Sequence, residues 1–248
     1  MKKNNKTNGV SIIVPSYNEK DNIPILVKEV FAVLGKMNIN SEIIIVDDNS
    51  PDGTGKVADL LAKRYKKDKK RSVVVIHRAG KLGLGTAVVE GFKRVRYEIL
   101  GVMDADLQHP PAKVKDLVKP IIDEKADYTI GSRYVPGGSA GEEWSIIRKI
   151  ISKVAAIIAI PVTRAKDPGS GFFFLNRDVI EGVNLNPRGY KINLEILAKG
   201  NYSRLEEIPF TFRIRERGES KLNAKEYVDY IHNIMRLTLY KVKRKIVG

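Results

Sequence analysis

Between residues 10 and 131 the sequence alternates short β-branched runs with amphipathic stretches, and this alternation limits the possible folds more than any other feature. Runs at 10–14, 42–46, 73–77, 99–103 and 128–131 read as strands, and the stretches at 23–35, 54–65, 85–95 and 111–123 read as helices between them. Strand and helix taking turns in this way give a parallel sheet with crossover helices, an architecture commonly used to bind nucleotides. A chain of 248 residues with 43% hydrophobic content can bury one substantial core, so the fold expected is α/β: one domain, with a Rossmann-like, mostly parallel sheet flanked by helices.

After Arg133 the texture changes. A glycine-rich stretch at 136–141 precedes an apolar and basic helix over 144–160, then a loop Asp167-Pro168-Gly169-Ser170-Gly171 and a strand over 172–175. A helix over 190–199, a strand over 210–214 and a basic amphipathic helix over 224–245 complete the pattern. The expected organisation is a polar tail at 1–9, one domain at 10–222 and a basic C-terminal segment at 223–248.

The sharpest chemical signal is Asp104-Ala105-Asp106-Leu107-Gln108, directly after the fourth strand. Ligands of open α/β sheets collect outside the carboxyl ends of the strands. Two acids one residue apart can share a hard divalent cation such as Mg²⁺ or Mn²⁺, with Gln108 adding a neutral oxygen and substrate phosphates completing the shell. The same residues also suit a plain surface turn that caps the helix after Pro110-Pro111. A second acidic pair, Asp47-Asp48, ends the second strand and could accept hydrogen bonds from a ribose or a base. It equally suits a turn into the next helix, with Asp52 or Thr54 as the cap.

Other signals exclude functions. The turn Val14-Pro15-Ser16-Tyr17-Asn18-Glu19 lacks the dinucleotide-binding glycines, Lys81 to Thr86 has Val88 where the third glycine belongs, and no phosphate-binding G-K-[ST] occurs. A dehydrogenase or a P-loop nucleotidase is therefore disfavoured. The three histidines lack metal-ligand spacing, and there is no cysteine for a thiolate site or a disulfide framework. A net charge of +15 attracts polyanions, including anionic lipid headgroups and phosphorylated substrates. Specific nucleic-acid binding is not expected, because aromatic residues make up only 7% and do not interleave with the basic ones. The seven basic residues between 63 and 71 read as a solvated helix end. Arg133, Arg148, Arg215 and Lys221 are candidates for holding phosphate oxygens, the last two flanking Gly218-Glu219-Ser220.

In the order VPSYNE, VDDNSPDGT, KLGLGTA, MDADLQH, GSRY, RKIIS, DPGSGF and RERGESK, the motifs between residues 10 and 222 resemble family 2 glycosyltransferases of the GT-A fold. Among these they are most similar to the dolichyl-phosphate mannosyltransferase branch. The resemblance implies inverting transfer of mannose from GDP-mannose to dolichyl (polyprenyl) phosphate, with UDP-glucose on a similar lipid as the rival donor. It implies nucleotide-sugar contacts at Pro15, Tyr17, Glu19, Val46, Asp48 and Ala105, and a metal and diphosphate cluster at Asp104, Asp106 and Gln108. Arg215 and Lys221 are implied to close on the donor, and Arg133, Arg148 and Ser152 to face the acceptor phosphate. Asp106, Arg133, Arg148, Arg215 and Lys221 are thus the expected catalytic set.

No apolar run approaches the roughly 20 residues a spanning helix needs. Some relatives carry transmembrane helices after the catalytic domain, and none is expected in this chain. A peripheral position on the cytoplasmic face of a membrane is the expectation, reached through a membrane-anchoring partner subunit or through the helices at 144–160 and 224–245 lying at the membrane surface; both helices equally suit plain packing on the core.

Overall fold

The computed structural model describes residues 9–141, 144–187, 189, 191–213 and 224–247. Its first half follows the expected alternation: β1 (Gly9–Ser16), α1 (Ile23–Lys36), β2 (Asn40–Asp47), α2 (Thr54–Tyr65), β3 (Arg71–His77), α3 (Leu84–Phe92), β4 (Ile99–Val102), α4 (Val114–Ile122) and β5 (Tyr128–Ser132). The second half adds α5 (Ile146–Ile158), β6 (Phe173–Asn176), α6 (Ile192–Lys199), β7 (Leu205–Pro209) and α7 (Ala224–Val247). Among the described residues the strands form one sheet in the order β3-β2-β1-β4-β6-β5-β7. All neighbouring pairs are parallel except those of β6, which runs antiparallel between β4 and β5.

Both faces of this sheet are covered, and side-chain alternation decides which residue serves which face. Ile12 and Val14 of β1 and Ile43 and Ile45 of β2 pack with α1, α2 and α4. Ile13, Ile44 and Val46 pack on the opposite side with α3 and α6. A third, smaller cluster lies outside α6, where Leu194 and Ala198 meet Ala159, Val162 and the α7 residues Tyr230, Ile234 and Leu237. α7 is fastened there by charge as well: the fully buried Glu195 accepts from Lys199 (2.5 Å) and from Arg236 of α7 (2.9 Å).

The strand expected over 210–214 is corrected by the structure. The last strand is β7, pairing parallel with β5, while Thr211 makes only an isolated bridge to Ser139, and residue 214 lies outside the described residues. β7 is an edge strand with one partner, so Glu206 and Glu207 sit in it without the apolar run that marks a central strand. Glu207 has a task of its own there, accepting from the backbone N–H groups of Lys166 (2.8 Å) and Asp167 (3.0 Å).

α5 is unlike the other helices. None of its thirteen residues is buried, and Ile146 and Ile147 are 77% and 70% exposed. α7 adds exposed Ile231, Met235 and Leu239. No helix among the described residues is long and apolar enough to cross a membrane.

Two features of the sheet give tests. Gly101 of β4 lies directly opposite Phe174 of β6, whose ring occupies the space a Cβ would need. Gly101→Val is expected to cost about 2–3 kcal/mol, the scale of an overpacked core, read as a lower urea midpoint with an unchanged m-value. At the start of the β5–β7 pair, Asp127 accepts from the Ser203 N–H (3.1 Å) and the Arg204 N–H (2.9 Å) and pairs with the Arg204 guanidinium. The Arg204 hydrogen bond, helped by these backbone donors, holds its carboxyl well below the usual carboxylate range. A group depressed on folding stabilises the native state above its unfolded value, near 4, and loses that contribution as pH falls toward the folded value. The stability gap between wild type and Asp127→Asn should therefore be full at about pH 7 and 5 and smaller at about pH 3, by urea unfolding at each pH.

Candidate functional site

β1 is the interior strand from which the chain steps to β2 and β3 on one side and then crosses to β4 on the other. In a sheet of this kind, ligands bind at that switch point, outside the carboxyl ends of the strands. Pro15 to Glu19 after β1, Asp47-Asp48 after β2 and Asp104 to Gln108 after β4 all emerge at this one end.

The acidic turn is built by its neighbours. The Asp104 N–H donates to Nδ1 of His109 (3.0 Å), which ties the start of the turn to the imidazole. His109 is buried and stacked on Phe172 at 5.0 Å, with Phe210 and Phe212 against its edges. Ala105 goes into the core, Asp106 Oδ1 accepts from the Gln108 N–H (3.1 Å), and Leu107 takes the left-handed conformation at φ 61°. Gln108 exchanges hydrogen bonds with Arg213: its Nε2 donates to the Arg213 carbonyl and its own carbonyl accepts from the Arg213 N–H, both at 3.0 Å. This turns the amide oxygen of Gln108 away from that bond. Asp104 remains 30% exposed, and a Cβ on Gly171 would stand only 3.2–3.3 Å from both its carboxylate oxygens. Glycine at 171 therefore keeps the approach to Asp104 clear.

These residues fit a hard divalent cation. They are oxygen donors, two of them carboxylates, beside a recess that any side chain at 171 would fill. Among the described residues no group of three acidic, histidine or cysteine side chains encloses a cation. The remaining ligands would then be substrate oxygens, as Mg²⁺ usually takes them.

On the nucleotide side the expected residues gather, with two qualifications. Pro15 is half-buried and in register with Val46, and the Tyr17 ring lies 4.6 Å from Lys81 Nζ. Glu19 Oε2 accepts from Asn22 at the start of α1 (2.7 Å). Val46 has its side chain in the core, so only its backbone can meet a ligand. Asp48 is already engaged by protein groups: one oxygen pairs with buried Arg78, and the other accepts from the Leu82 and Gly83 N–H groups, both at 3.1 Å. Its first effect is to hold the loop between β3 and α3 in place. Arg78, which also donates to Thr86 (2.6 Å), escaped the sequence reading. Its one signal was its position directly after β3, aligned with Asp48 after β2.

The residues expected to face an acceptor phosphate also lie near one another. Arg133 is buried and forms a bidentate pair with Asp167, Nε to Oδ2 at 2.8 Å and Nη2 to Oδ1 at 2.7 Å. Burial disfavours its charge, but Asp167 outweighs this and raises the guanidinium pKa above its ordinary value. Arg133 was expected simply to face a phosphate; its Nε–H and one Nη2–H are committed to Asp167, which leaves the edge between Nη1 and Nη2 for a ligand. Arg148, in the first turns of α5, has its guanidinium 4.1 Å from the centre of the Trp144 ring, and that of Arg133 is 5.2 Å from the same ring. Ser152 accepts from the Tyr134 hydroxyl (2.5 Å). Arg215 and Lys221 lie outside the described residues.

With the geometry in hand, comparisons with known proteins identify the chain's relatives. It is 46% identical over 249 residues to a Pyrococcus furiosus protein named dolichol-phosphate mannosyltransferase, covering 96% of this chain and 68% of the relative. It is 40% identical over 240 residues to a Saccharomyces cerevisiae protein of the same name, covering 93% and 87%. In fold it resembles the crystal structure of glucosyl-3-phosphoglycerate synthase from Mycobacterium tuberculosis in complex with Mn²⁺, UDP and phosphoglyceric acid: TM-score 0.65, 18% identity, 94% of this chain and 78% of that one. The sequence model of Glycosyl transferase family 2 matches residues 11–184. On that match and on those identities, the chain belongs to glycosyl transferase family 2.

Proposed function

We propose that this chain transfers mannose from GDP-mannose to dolichyl (polyprenyl) phosphate, with inversion at the sugar C1. The observation that carries this reading is that relatives 36–46% identical, each matching more than nine-tenths of the chain, share the name dolichol-phosphate mannosyltransferase. The geometry supports it: an acidic turn and a patch bearing two arginines open at the same end of the sheet, suited to a leaving diphosphate and an incoming phosphate.

Asp104, Asp106 and Gln108 would hold Mg²⁺ or Mn²⁺, which when bound neutralises the leaving diphosphate. His109 fixes the backbone of Asp104, and the Asp106–Gln108 turn fixes the second carboxylate, so both acids are set before substrate arrives. Pro15, Tyr17, Glu19 and the backbone at Val46 and Ala105 line the donor side, where Asp48 shapes the loop over the nucleotide. Arg133, Arg148 and Ser152 receive the acceptor phosphate, and Arg215 and Lys221 close on the donor diphosphate. No general base is required, because a phosphate monoester with a second pKa near 6 is already mostly dianionic at about pH 7. The two arginines offset the repulsion between two anions and aim the phosphate oxygen at C1.

The acceptor lies in a bilayer, and the exposed isoleucines of α5 with the apolar residues of α7 offer a face for it. Apolar helix faces rimmed by Lys and Arg bind anionic headgroups. This supports a peripheral position on the cytoplasmic leaflet, directly or beside a membrane-anchoring subunit.

The test is incubation with radiolabelled GDP-mannose and a polyprenyl phosphate in detergent, with and without EDTA, followed by organic extraction. Label should enter the organic phase only when a divalent cation is available. Transfer from UDP-glucose and none from GDP-mannose would overturn the donor assignment. Asp106→Asn keeps the oxygen that accepts from Gln108 but removes the charge. It should lower kcat by about a hundredfold or more, the scale of losing one electrostatic group at a transition state, with unchanged circular dichroism and Tm. Near-wild-type turnover in that variant would remove Asp106 from the metal site.

A further inference from the structure

Trp144 is the only tryptophan of the chain, and the sequence reading gave it no task. In the structure its ring is the surface against which both acceptor-side guanidiniums rest, Arg148 at 4.1 Å and Arg133 at 5.2 Å from the ring centre. The indole is itself held edge-on by Phe212 at 5.6 Å, and Phe212 packs in turn against His109 at 5.6 Å. A continuous run of ring contacts thus leads from the histidine that fixes Asp104 to the tryptophan beneath the arginines.

The two arginines meet this ring differently. Arg133 is fixed by its buried bidentate pair with Asp167. Arg148 stands on α5, whose residues are all at least partly exposed, and its guanidinium lies closer to the indole than that of Arg133 does. An aromatic face attracts a guanidinium through its quadrupole and favours stacking over free rotation. The backbone N–H of Arg148 also donates to Ser145 Oγ (3.2 Å), which seats the helix start beside Trp144.

We infer that Trp144 is a positioning residue for the acceptor phosphate: its ring sets the place and spacing of Arg148 relative to Arg133. The inference rests on the acceptor-phosphate reading of those arginines given above. Trp144 touches neither reacting atom; it acts through the guanidiniums.

Two measurements test it. Trp144→Leu should raise the KM for the lipid phosphate about five- to tenfold, the scale of a lost cation–π contact, with the KM for GDP-mannose unchanged, and Trp144→Phe should recover part of the loss. A residue that merely packs would instead lower Tm and kcat without singling out the acceptor. In the second measurement the lone indole serves as the probe. Titration with a short-chain prenyl phosphate should change the tryptophan emission of the wild type, and Arg148→Ala should abolish the change; inorganic phosphate run alongside tells whether the phosphate group alone suffices. An unchanged acceptor KM in Trp144→Leu, or equal rises for donor and acceptor, overturns the inference. If the wild type transfers no sugar to any prenyl phosphate, the functional reading fails by itself, whereas an emission change lost in Arg148→Ala still supports the role of Trp144 toward a bound phosphate.

Discussion

A sheet buried on both faces has nowhere to place polar chemistry except at the ends of its strands. Ile12 and Ile13 are adjacent in sequence yet belong to separate cores, and the same holds for Ile43 and Ile44. The apolar side chains of the central strands divide between the two helical layers, and buried polar ones pair with each other, as where Ser11 donates to Glu42 (2.8 Å). What the chain can vary without opening the core is the set of segments at the strand ends, and there the acids, Arg133 and the glycine at 171 are found, with Arg148 on a helix beside them. The crossover from β3 to β4 brings the ends of β1, β2 and β4 side by side, so loops separated by tens of residues become one surface.

Those loops are held by charges taken out of water. Asp48 with Arg78 fixes the segment between β3 and α3, and Asp167 with Arg133 joins the loop before β6 to the end of β5. Removing one member of such a pair leaves an uncompensated buried charge, at a cost of about 3–5 kcal/mol. These pairs therefore resist loss of either partner far more than they add to net stability. What they contribute is a fixed geometry in a region of low dielectric, where a charged ligand feels the remaining dipoles strongly.

Much of this was legible in the sequence, and the exceptions have physical reasons. Most strands of the first half could be read because burial on both faces enforces apolar runs, and the edge strand β3 because Val73 to Ile76 keep a β-branched run; the acids after β4 could be located because they directly follow such a run. β7 could not, since an edge strand with one neighbour tolerates Glu206 and Glu207. Arg78 and the particular task of His109 were hidden because they are made by partners distant in sequence or by the fold of a turn: Asp48 lies thirty residues away, and the Nδ1 of His109 meets a backbone amide. The commitment of Arg133 to Asp167 was hidden for the same reason, with thirty-four residues between them.

α5 carries one last consequence. It has six isoleucines and a valine among thirteen residues, all at least partly exposed, and is tied to its surroundings where the Tyr134 hydroxyl donates to Ser152 and the Tyr230 hydroxyl to the Ala155 carbonyl. β-Branched residues are mediocre helix formers, and an unsupported helix of this length is marginal in water. Its amides should thus exchange with solvent sooner than those of α1 or α4, and more slowly once an apolar medium covers the isoleucines. Arg148 rides on this segment, so whatever steadies α5 also steadies the guanidinium that rests on Trp144.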